Sequence, residues 1–181
     1  MRLQRPRHLL SCTILGASLL LSACGFQLRG SGVDNIALDE LHVSALDSHS
    51  QTHRQLVEAL QDSGVTVRSS APYHLQLLDE PRQRRAVSYS RGSTSAEYEM
   101  SHQLRYQISN TAGQILVGPE TLSTYRAYVR DKDNLAGSNE EEALLQREMQ
   151  QDLTRQLMLR MSRLSASDLA SRERALEQPV D

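Results

Sequence analysis

The sequence has no tryptophan and a single phenylalanine in 181 residues, and apolar residues make up only 39%. A chain this poor in large apolar side chains is not a polytopic membrane protein, although its aliphatic content suffices for one modest core. An excess of basic charge is also missing: 20 Lys and Arg stand against 22 Asp and Glu, for a formal charge of -2. Phosphate backbones are gripped through a basic excess, so no nucleic-acid partner is expected. Nine Gly and five Pro are too few for a collagen-like or low-complexity chain. The length suits one folded domain.

The N-terminus is the most distinctive segment. Arg2, Arg5 and Arg7 precede an apolar run from Leu9 to Leu21, the charged and apolar regions of a secretory signal; at about 13 residues the run is too short to span a bilayer. It ends in Leu21-Ser22-Ala23-Cys24, small residues leading into a cysteine, which resembles the lipobox of bacterial lipoproteins. Residues 1–23 are therefore expected to be removed, leaving Cys24 as a lipidated first residue. The alternative, ordinary cleavage after Ala23, would leave an exported lone thiol, because Cys12 departs with the signal and no internal disulfide can form. Two or more acyl chains make a durable membrane anchor where one is marginal. Gly25, rather than an Asp that would favour inner-membrane retention, points to the outer membrane. Loss of the three arginines leaves the remainder more acidic, and nucleic acid less expected still.

Residues 24–35, with Gly25, Gly30 and Gly32 and no apolar period, read as a tether. A single domain is expected over residues 36–165. Leu41 to Ala45 alternates as a strand. Ser48 or Ser50 caps a helix over about 50–63 that stops at Gly64. Val65 to Arg68 and Tyr73 to Leu77 are further extended pieces, and so close a strand-helix-strand favours parallel pairing. Arg82 to Ser90 is a shorter extended piece. The clearest strand runs from Ala96 to Ser109, with Tyr98, Met100, His102, Leu104, Tyr106 and Ile108 on one face and Glu97, Glu99, Ser101, Gln103, Arg105 and Gln107 on the other. Its length predicts that it protrudes past its neighbours or bends. Asn110 to Gln114 forms a hairpin loop, and Ile115 to Arg130 returns antiparallel, with Pro119 marking an irregularity. Ser138 and Glu141 suggest a capping box for a helix over about 139–165, whose apolar positions are Leu144, Leu145, Met149, Leu153, Leu157, Met158, Met161 and Leu164. Residues 166–181 read as a flexible polar tail. The expected fold is α+β, two helices on one face of a four-stranded mixed sheet, with the other face polar and turned to water or a partner.

Catalytic constellations are missing. No nucleophile elbow, phosphate-cradling glycine loop or His-Glu-x-x-His occurs, and no cofactor is called for. His49 and His53 lack a third ligand, so no metal is expected, and His102 reads as a hydrogen-bonded core or edge residue. A basic cluster stands out instead: Arg82, Arg84, Arg85 and Arg91, with Arg126, Arg130 and Lys132 on or just after the returning strand. Guanidinium groups hold phosphate in a bidentate manner, so the cluster suits an anionic lipid headgroup; equally, such charges keep a solvated strand edge from aggregating. Three functions follow: a lipoprotein working with a membrane partner, a free-standing periplasmic lipoprotein binding an anionic lipid or glycan, and a cell-wall hydrolase with only isolated carboxylates behind it.

Cys24-Gly25-Phe26-Gln27-Leu28-Arg29-Gly30 resembles the start of the lipopolysaccharide-assembly lipoprotein family, LptE or RlpB. The likeness extends to Ala96-Glu97-Tyr98-Glu99-Met100, to Tyr125-Arg126 and to Asn139-Glu140-Glu141. It implies two helices on a four-stranded sheet, an outer-membrane lipoprotein that plugs and helps assemble the LptD β-barrel one to one, and binding of lipopolysaccharide on its way to the cell surface. It also implies that an arginine just before the long strand, here Arg91, contributes to lipopolysaccharide binding. The family's second basic position falls near Ala136 and Gly137 here, which leaves Arg130 or Lys132 to substitute.

Overall fold

The computed structural model describes residues 36–89 and 95–178. In these the elements run β1 (Glu40–Ala45), α1 (Gln51–Asp62), β2 (Thr66–Val67), β3 (Tyr73–Asp79), β4 (Arg82–Tyr89), β5 (Ser95–Asn110), β6 (Ile115–Asp131), α2 (Leu135–Met161) and α3 (Ala166–Glu177). The architecture is α+β with a mixed sheet, as expected. The sheet has six strands rather than four, because the extended pieces expected at 65–68 and 82–90 both join it, as the two-residue β2 parallel to β1 and as β4. β1 and β3 are parallel, and the remaining pairs are antiparallel.

The length of β5 organises the sheet. β3 pairs with its C-terminal part, from Tyr73 opposite Asn110 to Asp79 opposite Arg105. Beyond that point β5 overhangs β3, and β4 pairs with the overhang, from Arg82 opposite His102 to Tyr89 opposite Ala96. Two strands thus lie end to end along one edge of β5, while β6 follows its other edge. Near Pro119 the β5–β6 register shifts. Gly118 there has φ +88°, and a Cβ on it would lie 2.8 Å from the Tyr106 carbonyl oxygen, so only glycine fits without displacement.

Local sequence accounts for the helix ends, with two corrections. Ser50 caps α1 by accepting from the His53 amide at 3.2 Å, and Gly64 takes the left-handed conformation just past its end. For α2 the cap is Asn134, which accepts from the Gly137 amide at 3.1 Å, and the expected Ser138 box is not formed. Ser138 lies four residues inside, where its buried hydroxyl accepts from the Asp131 amide at 3.0 Å and fastens the helix to the end of β6. The second correction concerns the segment read as a flexible polar tail. Residues 166–177 of it form α3, capped by a reciprocal Ser165–Asp168 box and anchored by Leu169, which is fully buried.

The core is unevenly distributed. A large cluster joins Leu41, Leu75, Leu104 and Ile108 of the sheet to Leu56 and Leu60 of α1, Leu153, Leu157 and Met161 of α2, and Leu169 of α3. Towards the start of β5 and the end of β6 only Met100, Tyr128 and Met149 form a separate small cluster, with Tyr98 and Leu145 against it. Leu144, counted as apolar face in the sequence, is 48% exposed.

Candidate functional site

Residues directly opposite in neighbouring strands share a face. Arg82 pairs with His102, Arg84 with Met100 and Met100 with Arg126, and Ala96 with Arg130. His102 and Met100 are buried beneath the helix layer, so Arg82, Arg84, Arg126 and Arg130 lie on the helix side. Arg85, paired with Glu99, lies on the open side. Strand alternation thus divides the sequence cluster between two faces. Cys24 and Arg91 lie outside the described residues.

On the helix side the arginines meet carboxylates contributed by other elements. Glu142 of α2 accepts from Arg84 Nη1 at 2.8 and 3.1 Å, from the Tyr128 hydroxyl, and faces Arg130 Nη1 at 3.6 Å. Arg126 binds Asp152, which also binds Arg155. Arg84 also lies 5.3 Å from the centre of the Tyr98 ring, a cation–π contact. The Tyr128 phenol is pushed up from its ordinary value, first by burial and then by its bond to Glu142. Beside Glu142 a cleft of about 350 Å³ opens between β4 and α2, lined by Arg82, Arg84, Met100, His102, Gln146 and Met149 among others.

A second carboxylate ties the layers together. Glu80 Oε1 accepts from Thr52 Oγ1 at 2.6 Å and from Arg82 Nη2 at 2.7 Å, and lies 2.7 Å from His102 Nε2. Thr52 in turn accepts from Gln150 Nε2 at 3.0 Å. Burial alone would raise the Glu80 carboxyl, but its bonds with His102, Thr52 and Arg82 outweigh burial and hold it at about 2. His102, 3% exposed, is the hydrogen-bonded core residue expected of it.

Arg82, Arg84, Arg85 and Arg130 therefore each have an acidic neighbour: Glu80, Glu142, Glu99 and Glu142. Lys132 is exposed just past β6 and has no ion-pair partner among the described residues. Sequence reasoning missed Glu80, Glu142 and Tyr128. Glu142 carries no local sequence signal of its own, and its partners Arg84, Tyr128 and Arg130 are 58, 14 and 12 residues away in sequence. Among the described residues no group of three or more His, Cys, Asp or Glu is placed to hold a metal ion.

The open face of the sheet is polar along β5, where Glu97, Glu99, Ser101, Gln103, Arg105 and Gln107 alternate with the buried residues. Opposite them on β6 stand Tyr125 and Val129, 54% and 55% exposed. At the β1–β3 end of this face His42 and His74 stack at 4.0 Å, and His74 bonds Ser44 at 2.8 Å.

Comparison with known proteins agrees with this architecture. The chain resembles, in solved structures, a minor lipoprotein from Acinetobacter baumannii (TM-score 0.60, 23% identity, 71% of this chain and 93% of that one). It also resembles the rare lipoprotein B from Shewanella oneidensis (TM-score 0.56, 23% identity, 77% and 99%). Among curated sequences it is 25% identical over 180 residues to the LPS-assembly lipoprotein LptE of Pectobacterium atrosepticum, covering 96% of this chain and 97% of that protein. The corresponding protein of Yersinia pestis is 22% identical, with 96% and 86% covered. The family model described as lipopolysaccharide-assembly LptE matches residues 38–161, most of the chain, from just before β1 to the last residue of α2, and the chain belongs to that family.

Proposed function

We propose that this chain is a non-enzymatic outer-membrane lipoprotein, anchored through acyl groups on Cys24, that plugs the lumen of the LptD β-barrel one to one, helps that barrel assemble, and binds lipopolysaccharide during its export. The observation that carries the reading is the open sheet face. It is polar along β5, it exposes Tyr125 and Val129, and all the described helices pack on the opposite side. A face of this kind matches the polar interior of an outer-membrane barrel, and family membership supplies the setting. Arg91, Arg82, Arg84, Arg85, Arg130 and Lys132 are the residues assigned to lipopolysaccharide phosphates, which guanidinium groups hold through paired hydrogen bonds.

Detergent extraction of outer membranes tests the assembly: a large barrel should co-purify in stoichiometric amount, and recovery of the lipoprotein alone would count against the plug and favour a free-standing lipid- or glycan-binding lipoprotein. The ligand is tested with Arg91→Asp, which should bind lipopolysaccharide more weakly at low and at physiological salt. Unchanged binding would remove Arg91 from the site.

A further inference from the structure

The arginines best placed to hold a phosphate on the helix side are not vacant; a carboxylate of the same chain already sits among them. Glu142 receives Arg84 Nη1 on both oxygens, the Tyr128 hydroxyl on one, and has Arg130 Nη1 at 3.6 Å. Two guanidinium groups and a phenol converging from β4 and β6 on one anion carry more positive charge than that anion neutralises. We propose that Glu142 is an internal stand-in for a ligand phosphate: Arg84, Arg130 and Tyr128 form an anion site that Glu142 fills in the unliganded chain and vacates when a phosphorylated amphiphile binds. The proposal rests on the lipopolysaccharide reading and adds an occupant that the ligand must displace.

Three observations support it. First, the part of α2 that carries Glu142 is lightly held. Between residues 135 and 148 only Gly137, Ser138, Glu142 and Leu145 are buried or half-buried, whereas further along Leu153, Leu157 and Met161 are completely buried. The first turns can therefore lift without opening the main core. Second, a phosphate offers more acceptor oxygens and more charge than a carboxylate, so it competes well for paired arginines. Third, the cleft beside Glu142 has the two methionines Met100 and Met149 among its lining residues and Arg82 and Arg84 at its side. Methionine surfaces adapt to irregular apolar shapes, and two of them beside these arginines suit a phosphate attached to hydrocarbon.

If Glu142 were only a clamp holding α2 to the sheet, removing its charge would loosen the site and weaken any ligand. The stand-in model requires the opposite sign. The full chain and its Glu142→Gln variant are titrated in detergent with lipopolysaccharide, with phosphatidylglycerol in mixed micelles and with inorganic phosphate, and amide exchange over residues 135–148 is followed on the unmodified chain. The variant should bind phosphate-bearing lipid roughly fivefold more tightly, the gain expected from removing a partly exposed competing ion pair, and saturation of the unmodified chain should speed exchange over 135–148. A gain confined to lipopolysaccharide assigns the site to that ligand, a gain for both lipids extends it to phospholipid headgroups, and a gain for inorganic phosphate as well assigns recognition to the phosphate alone. Equal or weaker binding by a folded variant, or exchange that slows or stays constant, overturns the proposal. Should the variant not fold, the exchange measurement decides by itself. Tighter binding of phosphatidylglycerol with no binding of lipopolysaccharide to either protein would keep the anion site and overturn the lipopolysaccharide reading, and no binding of either lipid overturns both.

Discussion

The two ends of the sheet share β5 and β6 but are held by different means. Around the β5–β6 hairpin, β1 and β3 extend the sheet, and Leu41, Leu75, Leu104, Ile108, Leu153 and Leu157 form one continuous apolar cluster. At the other end β4 replaces β3 beside β5, the apolar content falls to Met100, Tyr128 and Met149, and α2 is held by carboxylates on Arg84, Arg126 and Arg130. A buried aliphatic side chain contributes roughly 1.5–3 kcal/mol, while a partly exposed ion pair contributes about 0–1. The first end therefore supplies most of the folding free energy, and the second can rearrange at lower cost. Arg82, Arg84, Arg126 and Arg130 of the expected basic cluster lie at this second end on the helix side, and Arg85 lies there on the open side.

Substitution at the two ends breaks or sharpens this contrast. Leu153→Ala, at a fully buried position of the main cluster, should cost ~2–5 kcal/mol of unfolding free energy in urea. Met149→Ala, in the small cluster, should fall at the bottom of that range, near ~2 kcal/mol or below. An equal or larger loss at Met149 would show that the arginine end is as firmly packed as the other. The next effect lies at the seam, where Glu80 joins α1, β4 and β5. Its carboxyl is held at about 2 against an ordinary 4.5, because bonds with His102, Thr52 and Arg82 overcome the upward push of burial. A depressed carboxyl contributes stability that is fully present above the unfolded value and is lost as pH falls towards the folded one. Between about pH 5 and pH 2 this group should thus account for a loss of up to about 3 kcal/mol. Unfolding curves across that interval should flatten in Glu80→Gln; an unchanged acid slope would assign the loss to other carboxylates.

Periodicity made the main elements legible. The alternation from Tyr98 to Ile108 reports burial directly, and Leu153, Leu157 and Met161 mark the packed side of α2. Positions that depend on a distant partner were not legible. Arg84 and Arg85 look equivalent in sequence, yet one faces Glu142 of α2 and the other Glu99 of β5; alternation predicts the split, but nothing local predicts Glu142. Ser138 looked like a cap, but its hydroxyl binds the amide of the last residue of β6, and Asn134, four residues earlier, caps the helix instead. α3 escaped because Leu169 is its single buried residue, too few for a periodic face. Its Ser165-x-x-Asp168 box was the available signal. Ser165→Ala should cost ~1 kcal/mol and raise amide exchange over residues 166–177. A silent substitution would mean that Leu169, rather than the cap, holds this helix.

The smallest effect is expected on the open face. Arg85 Nη2 lies 2.8 Å from Glu99 Oε1, much like the Arg84–Glu142 pair, but its side chain is 74% exposed and that of Glu99 31%, against 43% and 17%. Water and salt screen the first pair more fully, so Arg85→Ala should change the stability of the isolated chain by less than ~0.5 kcal/mol. A double-mutant cycle over Arg85 and Glu99 measures the coupling without the background of either substitution. A coupling above ~1 kcal/mol would mean that the open face is already organised without a partner, and the division between the face that folds the chain and the open face proposed to meet a barrel would fail. A negligible coupling that grows when a barrel covers the face would show the same two charges gaining strength as water leaves them.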